Sequence, residues 1–290
     1  MYWWGLDSGF ILDDSANLYL LRDITLGEMS VWEFVTSGQA GPGGRPLSLL
    51  SFAIQHASWP DQPKAFKLVN LSIHLVNTVV LYFIAKLIGS YLGLQTKRRV
   101  AVACMATLWW AIHPLHVSSV LYAIQRMNLL SHFFMMATIL VYLQIRSWVV
   151  GRENFFSFML LGSTVSTGMV LSVLSKENGV LIPAYLLVIE FSFFTEGQNK
   201  VFWRSVRGFV LVMPLLAIIG YLIWTRQSLV DAYVSRNFTL YERLLTESRV
   251  LWMYVQSIFF PVTGQYGVVH DNIVVSRSLL SPFTTLISLV

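Results

Sequence analysis

Three short polar clusters in an otherwise apolar chain carry the residue types that chemistry needs. Asp13-Asp14 follows the apolar run Phe10-Ile11-Leu12. Partial desolvation of adjacent carboxylates near a membrane surface raises one of them toward the range of a general base. The same dipeptide also suits the start of a helix near Ser15, where acidic residues cap free N–H groups. His113-Pro114-Leu115-His116, followed by Tyr122, Gln125 and Arg126, gathers two imidazoles, a phenol and a guanidinium within a few turns. Imidazoles bind metal or relay protons. Two histidines without a third ligand nearby are better suited to satisfying backbone groups freed where Pro114 bends the chain. No metal ligands are assigned, and a divalent cation is left open as a cofactor. Lys176-Glu177-Asn178 separates two apolar stretches with almost no loop, an expensive place for two charges unless they face protein, water or substrate. Either Lys176 and Glu177 pair locally across a tight turn, or Lys176 receives an anionic phosphate. Arg45 and Arg126 are further phosphate candidates, because the guanidinium fork matches phosphate oxygens.

The elements that position these clusters are helices in a bilayer. Of 290 residues, 55% are hydrophobic and only 12% charged, with a mean hydropathy of +0.61. Soluble domains use about 25% charged residues. Spans of about 20 apolar residues are needed to cross a membrane, and six are predicted: 66–92, 100–112, 127–148, 155–174, 180–194 and 209–224. Lys97, Arg98, Arg99, Arg146, Arg152, Lys200, Arg204 and Arg207 then share one side, which the positive-inside rule makes cytoplasmic. That sorting sends Asp13-Asp14, Gly44-Arg45-Pro46, residues 113–126, Lys176-Glu177-Asn178 and residues 236–271 to the opposite face. The predicted fold is all-α, a polytopic integral membrane helical bundle. A long non-cytoplasmic first loop with interfacial helices covers 1–65 and a six-span core 66–225. A second non-cytoplasmic segment covers 226–278, and an incomplete span begins at 279.

Several classes are disfavoured. The net charge of +5 fits loop topology and contact with anionic membrane lipids, and no nucleic-acid signature accompanies it. Cys104 is the single cysteine and sits in an apolar run, so no intrachain disulfide forms. Residues 1–6 have neither the cationic flank nor the apolar core of a signal peptide, and the abrupt apolar end suggests a piece of a longer protein. Asn70, His74 and Asn77 recur at helical spacing and read as interhelical hydrogen bonding, as does His132.

The motifs Phe10-Ile11-Leu12-Asp13-Asp14, Gly44-Arg45-Pro46-Leu47-Ser48 with Ser51-Phe52, and Trp110-Ala111-Ile112-His113-Pro114-Leu115-His116 stand in one order with Gln125-Arg126. Leu174-Ser175-Lys176-Glu177-Asn178-Gly179 and Glu242-Arg243-Leu244-Leu245-Thr246-Glu247 follow. Together with Asn70, His74 and Asn77, this set resembles bacterial GT-C membrane glycosyltransferases, close to the O-mannosyltransferases that carry tetratricopeptide repeats. The resemblance implies a lipid-linked sugar donor, a polyprenyl phosphate glycoside, and a protein or glycan acceptor. It places the site on the non-cytoplasmic face of a bacterial inner membrane. It gives the reaction centre to Asp13 or Asp14; the chemistry of such a transfer then assigns phosphate to Arg126 and Lys176, and positioning of sugar or acceptor to His113, His116 and Glu177. The family usually has a span before the Asp-Asp loop and more spans after the point where this sequence stops. Two other classes compete: a non-catalytic transporter or flippase component for lipid-linked glycans, and an O-antigen-ligase-like enzyme. A transporter would place ionisable groups near mid-membrane, and a ligase of that kind relies on a large basic outer loop.

Overall fold

The computed structural model describes residues 2–41, 43–194, 199–234, 236–262 and 273–289. Four short helices come first: α1 (Asp13–Leu18), α2 (Leu21–Leu26), α3 (Val31–Thr36) and α4 (Pro46–Ala53). Then follow α5 (Pro63–Tyr91), α6 (Thr96–Ala111), α7 (His116–Leu121), α8 (Arg126–Val149), α9 (Phe155–Ser175) and α10 (Ile182–Phe193). One continuous helical stretch joins α11 (Lys200–Ser205), a π-helical turn at Val206–Val212 and α12 (Met213–Trp224). The described chain ends with α13 (Arg226–Asp231), α14 (Leu240–Phe259) and α15 (Thr284–Leu289). The described residues form no strand.

Local sequence accounts for the boundaries. Pro63 opens α5 at a position where its missing N–H costs nothing, and the Asn154 side chain accepts from Ser157 N–H to cap α9. Four helical stretches are long and apolar enough to cross a membrane: Pro63–Tyr91, Ala123–Val149, Phe155–Ser175 and Lys200–Trp224. The predicted spans at 100–112 and 180–194 become helices of 16 and 12 residues, shorter than those four. Large apolar side chains such as Val79, Phe83, Phe209 and Leu216 face outward on the long helices. Lipid, rather than water, is the solvent that suits such a surface, because exposed apolar side chains are unfavourable in water and a helix pairs its interior backbone groups within itself.

The chain forms two compact units, one of Met1–Ile112 with Ser119–Leu216 and one of His113–Ser118 with Ala217–Val290. In the first, small residues let α8 and α9 cross closely. A Cβ added at Gly168 would stand within van der Waals overlap of the Thr138 side chain, and Ser131 and Ser172 hydrogen-bond across the crossing at 2.9 Å. Gly168→Val is expected to lower stability by about 1–3 kcal/mol, read as a lower melting temperature in detergent. An unchanged melt would refute this packing.

The α5 stripe does what its spacing predicts. Asn70 Nδ2 donates to the carbonyls of Tyr122 and Ala123, His74 Nε2 lies 2.9 Å from Ala111 O, and Asn77 Nδ2 donates to Leu129 O. Arg146, assigned to a cytoplasmic loop by charge, is instead buried. Its guanidinium pairs with Glu190 at 2.5 Å and stacks on Phe194 and Trp203. A cation taken out of water needs such a partner, so Arg146 reports helix packing.

The first loop is better ordered than a partly structured surface loop. Leu18, Leu21, Phe34, Leu49 and Phe52 bury against Phe66, Tyr122, Ala123 and Met127, giving the short helices a core of their own on the ends of α5 and α8. In the second unit, Thr239 and Glu242 form a capping box that starts α14, and Arg277 pairs with Glu242 at 2.9 Å. Ser276 links Thr246 to Thr285. The segment predicted as polar thus contains a 20-residue helix exposing Leu251, Trp252, Tyr254 and Phe259. The end of the predicted 236–271 cluster, including Asp271, lies outside the described residues.

Candidate functional site

The two adjacent aspartates have different environments. The Asp14 side chain is buried, and its carboxylate accepts from Ile11 N–H at 3.0 Å and Ile124 N–H at 2.8 Å. It therefore ties the start of α1 to the 3-10 turn Ala123–Gln125. Burial pushes the Asp14 carboxyl up, while N–H groups of Ile11, Ile124 and Ala123 and the charge of Lys67 pull it back. Asp13, one residue earlier, is exposed. Its N–H donates to Tyr122 Oη at 2.8 Å, and the phenol also lies within hydrogen-bond reach of its carboxylate. Burial raises Tyr122 to about 12, so at neutral pH the phenol keeps its proton beside Asp13.

Beneath them Lys67, missed in the sequence, reaches back from α5. Its ammonium donates to Ser8 O, Ser8 Oγ and Gly9 O at 2.5, 2.6 and 3.2 Å, holding the chain just before the aspartates. The available signal was a lysine at the second position of the predicted span 66–92, where a charge is costly unless partnered.

Arg45 and Glu177, 132 residues apart, meet in a forked pair. Arg45 Nε lies 3.1 Å from both carboxylate oxygens and Nη2 lies 2.8 Å from Oε2. This replaces the local Lys176–Glu177 pair as the partner of Glu177. Burial would raise the Glu177 carboxyl, but the hydrogen bonds and charge of Arg45, with N–H groups including that of Gly43, hold it below the usual range. Glycine at 43 keeps this approach uncrowded, since a Cβ there would stand 3.2 Å from Glu177 Oε1. Lys176 is half-buried, and among the described residues its ammonium makes no hydrogen bond. Burial and the neighbouring Arg45 charge push Lys176 down, with Glu177 opposing.

Backbone strain concentrates here as well. Among the described residues only Leu12 and Arg45 combine a side chain with positive φ, at 41° and 48°. Such conformations cost about 1–3 kcal/mol and persist where surrounding contacts impose them. One directly precedes the aspartate pair, and the other is itself a site candidate.

Arg126 requires a correction. It is fully buried at the start of α8. It donates to Asn70 Oδ1, Ser51 O, Gln55 Oε1 and Phe66 O at 2.5–3.0 Å, and stacks 4.4 Å over Phe52. With its donors turned inward it cross-links α4, α5 and α8 and presents no face to an anion. Gln125 is half-buried and accepts a hydrogen bond from Asn128 Nδ2. His113 accepts from Leu115 N–H on Nδ1 at 3.3 Å, so Nε2 donates to Ile258 O at 3.1 Å. One nitrogen serves a backbone group at the Pro114 bend and the other a carbonyl of α14. The His116 ring centroid lies 6.5 Å from that of His113. Both histidines belong to the second unit, whereas Asp13, Asp14, Arg45, Gln125, Arg126, Lys176 and Glu177 belong to the first. Among the described residues no group of three His, Cys, Asp or Glu side chains is placed to hold a metal ion. Two cavities, of about 590 and 230 Å³, are lined by none of the site candidates.

Fold and site together define an all-α polytopic membrane protein with an exposed carboxylate and a guanidinium–ammonium cluster on one helical unit. Its curated relatives carry one kind of name. The chain is 27% identical over 197 residues to human Protein O-mannosyl-transferase TMTC3, covering 65% of this chain and 20% of that one. It is 25% identical over 206 residues to Protein O-mannosyl-transferase F38B6.6 of Caenorhabditis elegans, covering 71% and 25%. Against mouse Protein O-mannosyl-transferase TMTC4 it is 29% identical over 192 residues, covering 61% and 26%. The chain is thus distantly related to protein O-mannosyl-transferases and spans about a fifth to a quarter of their length. No family model and no solved structure matches.

Proposed function

We propose that the chain carries the reaction centre of a membrane glycosyltransferase. It moves a hexose, mannose by analogy with its relatives, from a polyprenyl-phosphate donor to an acceptor hydroxyl on a protein or glycan. The non-cytoplasmic face is proposed from the distribution of basic loops, and in a bacterial inner membrane it would be periplasmic. The observation that carries the reading is the split of the aspartate pair. Asp14 is consumed in holding backbone, which leaves Asp13 exposed on a strained, anchored turn beside a protonated phenol. A phosphate already bearing charge departs without strong acid help, so the protein must supply a base for the hydroxyl and cations for the leaving group. Asp13 takes the hydroxyl proton. Lys176, with Arg45 braced by Glu177, receives the phosphate.

An in vitro assay with purified protein and a panel of polyprenyl-phosphate sugars, with and without chelator, tests this. Transfer from at least one donor is expected, and failure with every donor would overturn it.

The electrostatics of Lys176 add a second expected result. Burial and Arg45 lower it, so its cation is lost at lower pH than in a solvent-exposed lysine. Donor affinity should therefore weaken as pH rises through that depressed value. Lys176→Arg, charged throughout, should move the alkaline limb of the KM profile to higher pH. An identical limb in both proteins would remove Lys176 from the phosphate site.

A further inference from the structure

A second cationic site lies in the same unit, on different elements from the aspartates. The 230 Å³ cavity is lined on its polar side by Lys86, Ser90, Arg99 and Gln144 and on its apolar side by Phe83 and Leu140. These residues come from α5, α6 and α8. No carboxylate lines it.

The two cations are held ready for an anion. Arg99 Nη1 donates to Ser90 Oγ at 2.9 Å, while its Nε is buried without a hydrogen-bond partner. A buried donor left unmet is unfavourable, and an anion in the cavity would satisfy it. The guanidinium stem lies close to α5 because residue 89 is glycine: a Cβ there would stand 2.9 Å from Arg99 Cγ. Lys86 lies 5.8 Å over the Tyr82 ring, and among the described residues its ammonium donates no hydrogen bond. Lys97 and Arg98 are exposed and line no part of the cavity.

A hydrocarbon path leaves the same point. Phe83, Val79 and Val76 form an exposed stripe at i, i−4 and i−7 along α5, a helix long and apolar enough to span a membrane. Two cations at one end of a lipid-facing apolar stripe match an amphiphile with a negative head and an acyl tail. A free phosphate would use only the head.

We propose that this cavity binds the phosphate of an anionic glycerophospholipid whose acyl chain lies along Phe83, Val79 and Val76. The site is independent of the transfer reaction and holds whether or not that reading does.

The test is lipid retention by the full chain. Protein reconstituted in equimolar phosphatidylglycerol and phosphatidylcholine is extracted, and its bound lipids are counted by native mass spectrometry. Wild type should retain phosphatidylglycerol in preference. Each of Lys86→Gln and Arg99→Gln should lower that preference about ten-fold, the loss of one charge-assisted hydrogen bond to the lipid phosphate. Arg98→Gln removes the same charge from the neighbouring exposed position and should leave it unchanged. Gly89→Val, which displaces Arg99 without altering charge, should reduce it in protein whose melting profile shows it folded. No preference in wild type, or equal loss in Arg98→Gln, overturns the proposal. Displacement of the lipid by millimolar inorganic phosphate alone would assign the site to a soluble anion and overturn it too.

Discussion

Replacing Asp13 by Asn is expected to lower sugar transfer by about 10²–10⁴-fold, the usual contribution of a positioned general base, while membrane insertion and melting temperature stay at wild-type values. The structural reason lies in exposure. The Asp13 side chain is exposed, and its contacts run to Tyr122, whose phenol oxygen accepts the Asp13 backbone N–H and lies within hydrogen-bond reach of its carboxylate. An amide therefore fits the same place without accepting the proton. Asp14→Asn should behave oppositely. Its carboxylate accepts two backbone N–H groups from inside the protein, and an amide nitrogen cannot accept either. Leaving one buried donor unmet costs about 1–3 kcal/mol, so this variant should melt earlier and lose activity in proportion to lost folded protein. Initial rates normalised to folded protein separate the two. Full activity in Asp13→Asn with loss in folded Asp14→Asn would move the base to Asp14.

The other large effect is expected at Arg126. Arg126→Ala strips partners from Asn70, Ser51, Gln55 and Phe66 at once and empties a space between α4, α5 and α8. Each buried acceptor left unmet costs about 1–3 kcal/mol and the emptied space adds to that, so little folded protein should survive extraction. Arg126→Lys keeps the charge but not the fork and should remain strongly destabilised. A phosphate-binding arginine would give another pattern, with normal melting and a raised KM for the donor. Finding that pattern would return Arg126 to the substrate site.

Helices, their approximate ends and the membrane as solvent followed from the linear sequence, because long apolar runs with few charges have no other stable form in lipid. The polar stripe of Asn70, His74 and Asn77 was readable for the same reason: helical periodicity places residues three and four apart on one face. The lengths of the helices at 96–111 and 182–193 were less legible, since hydropathy does not say where a short span ends and a reentrant or packed helix begins.

The roles of individual charges depended on contacts between distant residues. Identical neighbours Asp13 and Asp14 are equivalent as letters, and only the turn at 123–125 folding onto α1 makes one buried and the other exposed. Glu177 stands beside Lys176 in the chain but pairs with Arg45 from 132 residues away, because the glycine-containing segment before α4 leaves room for the fork. Arg126 reads as an exposed phosphate ligand by type and becomes a scaffold residue by burial. Sequence by itself determined that this protein is helical, lives in a membrane and carries a small set of chemically capable residues. Tertiary structure alone decided which of those are spent on holding the fold and which face outward, since burial and hydrogen-bond satisfaction arise only where separate helices meet.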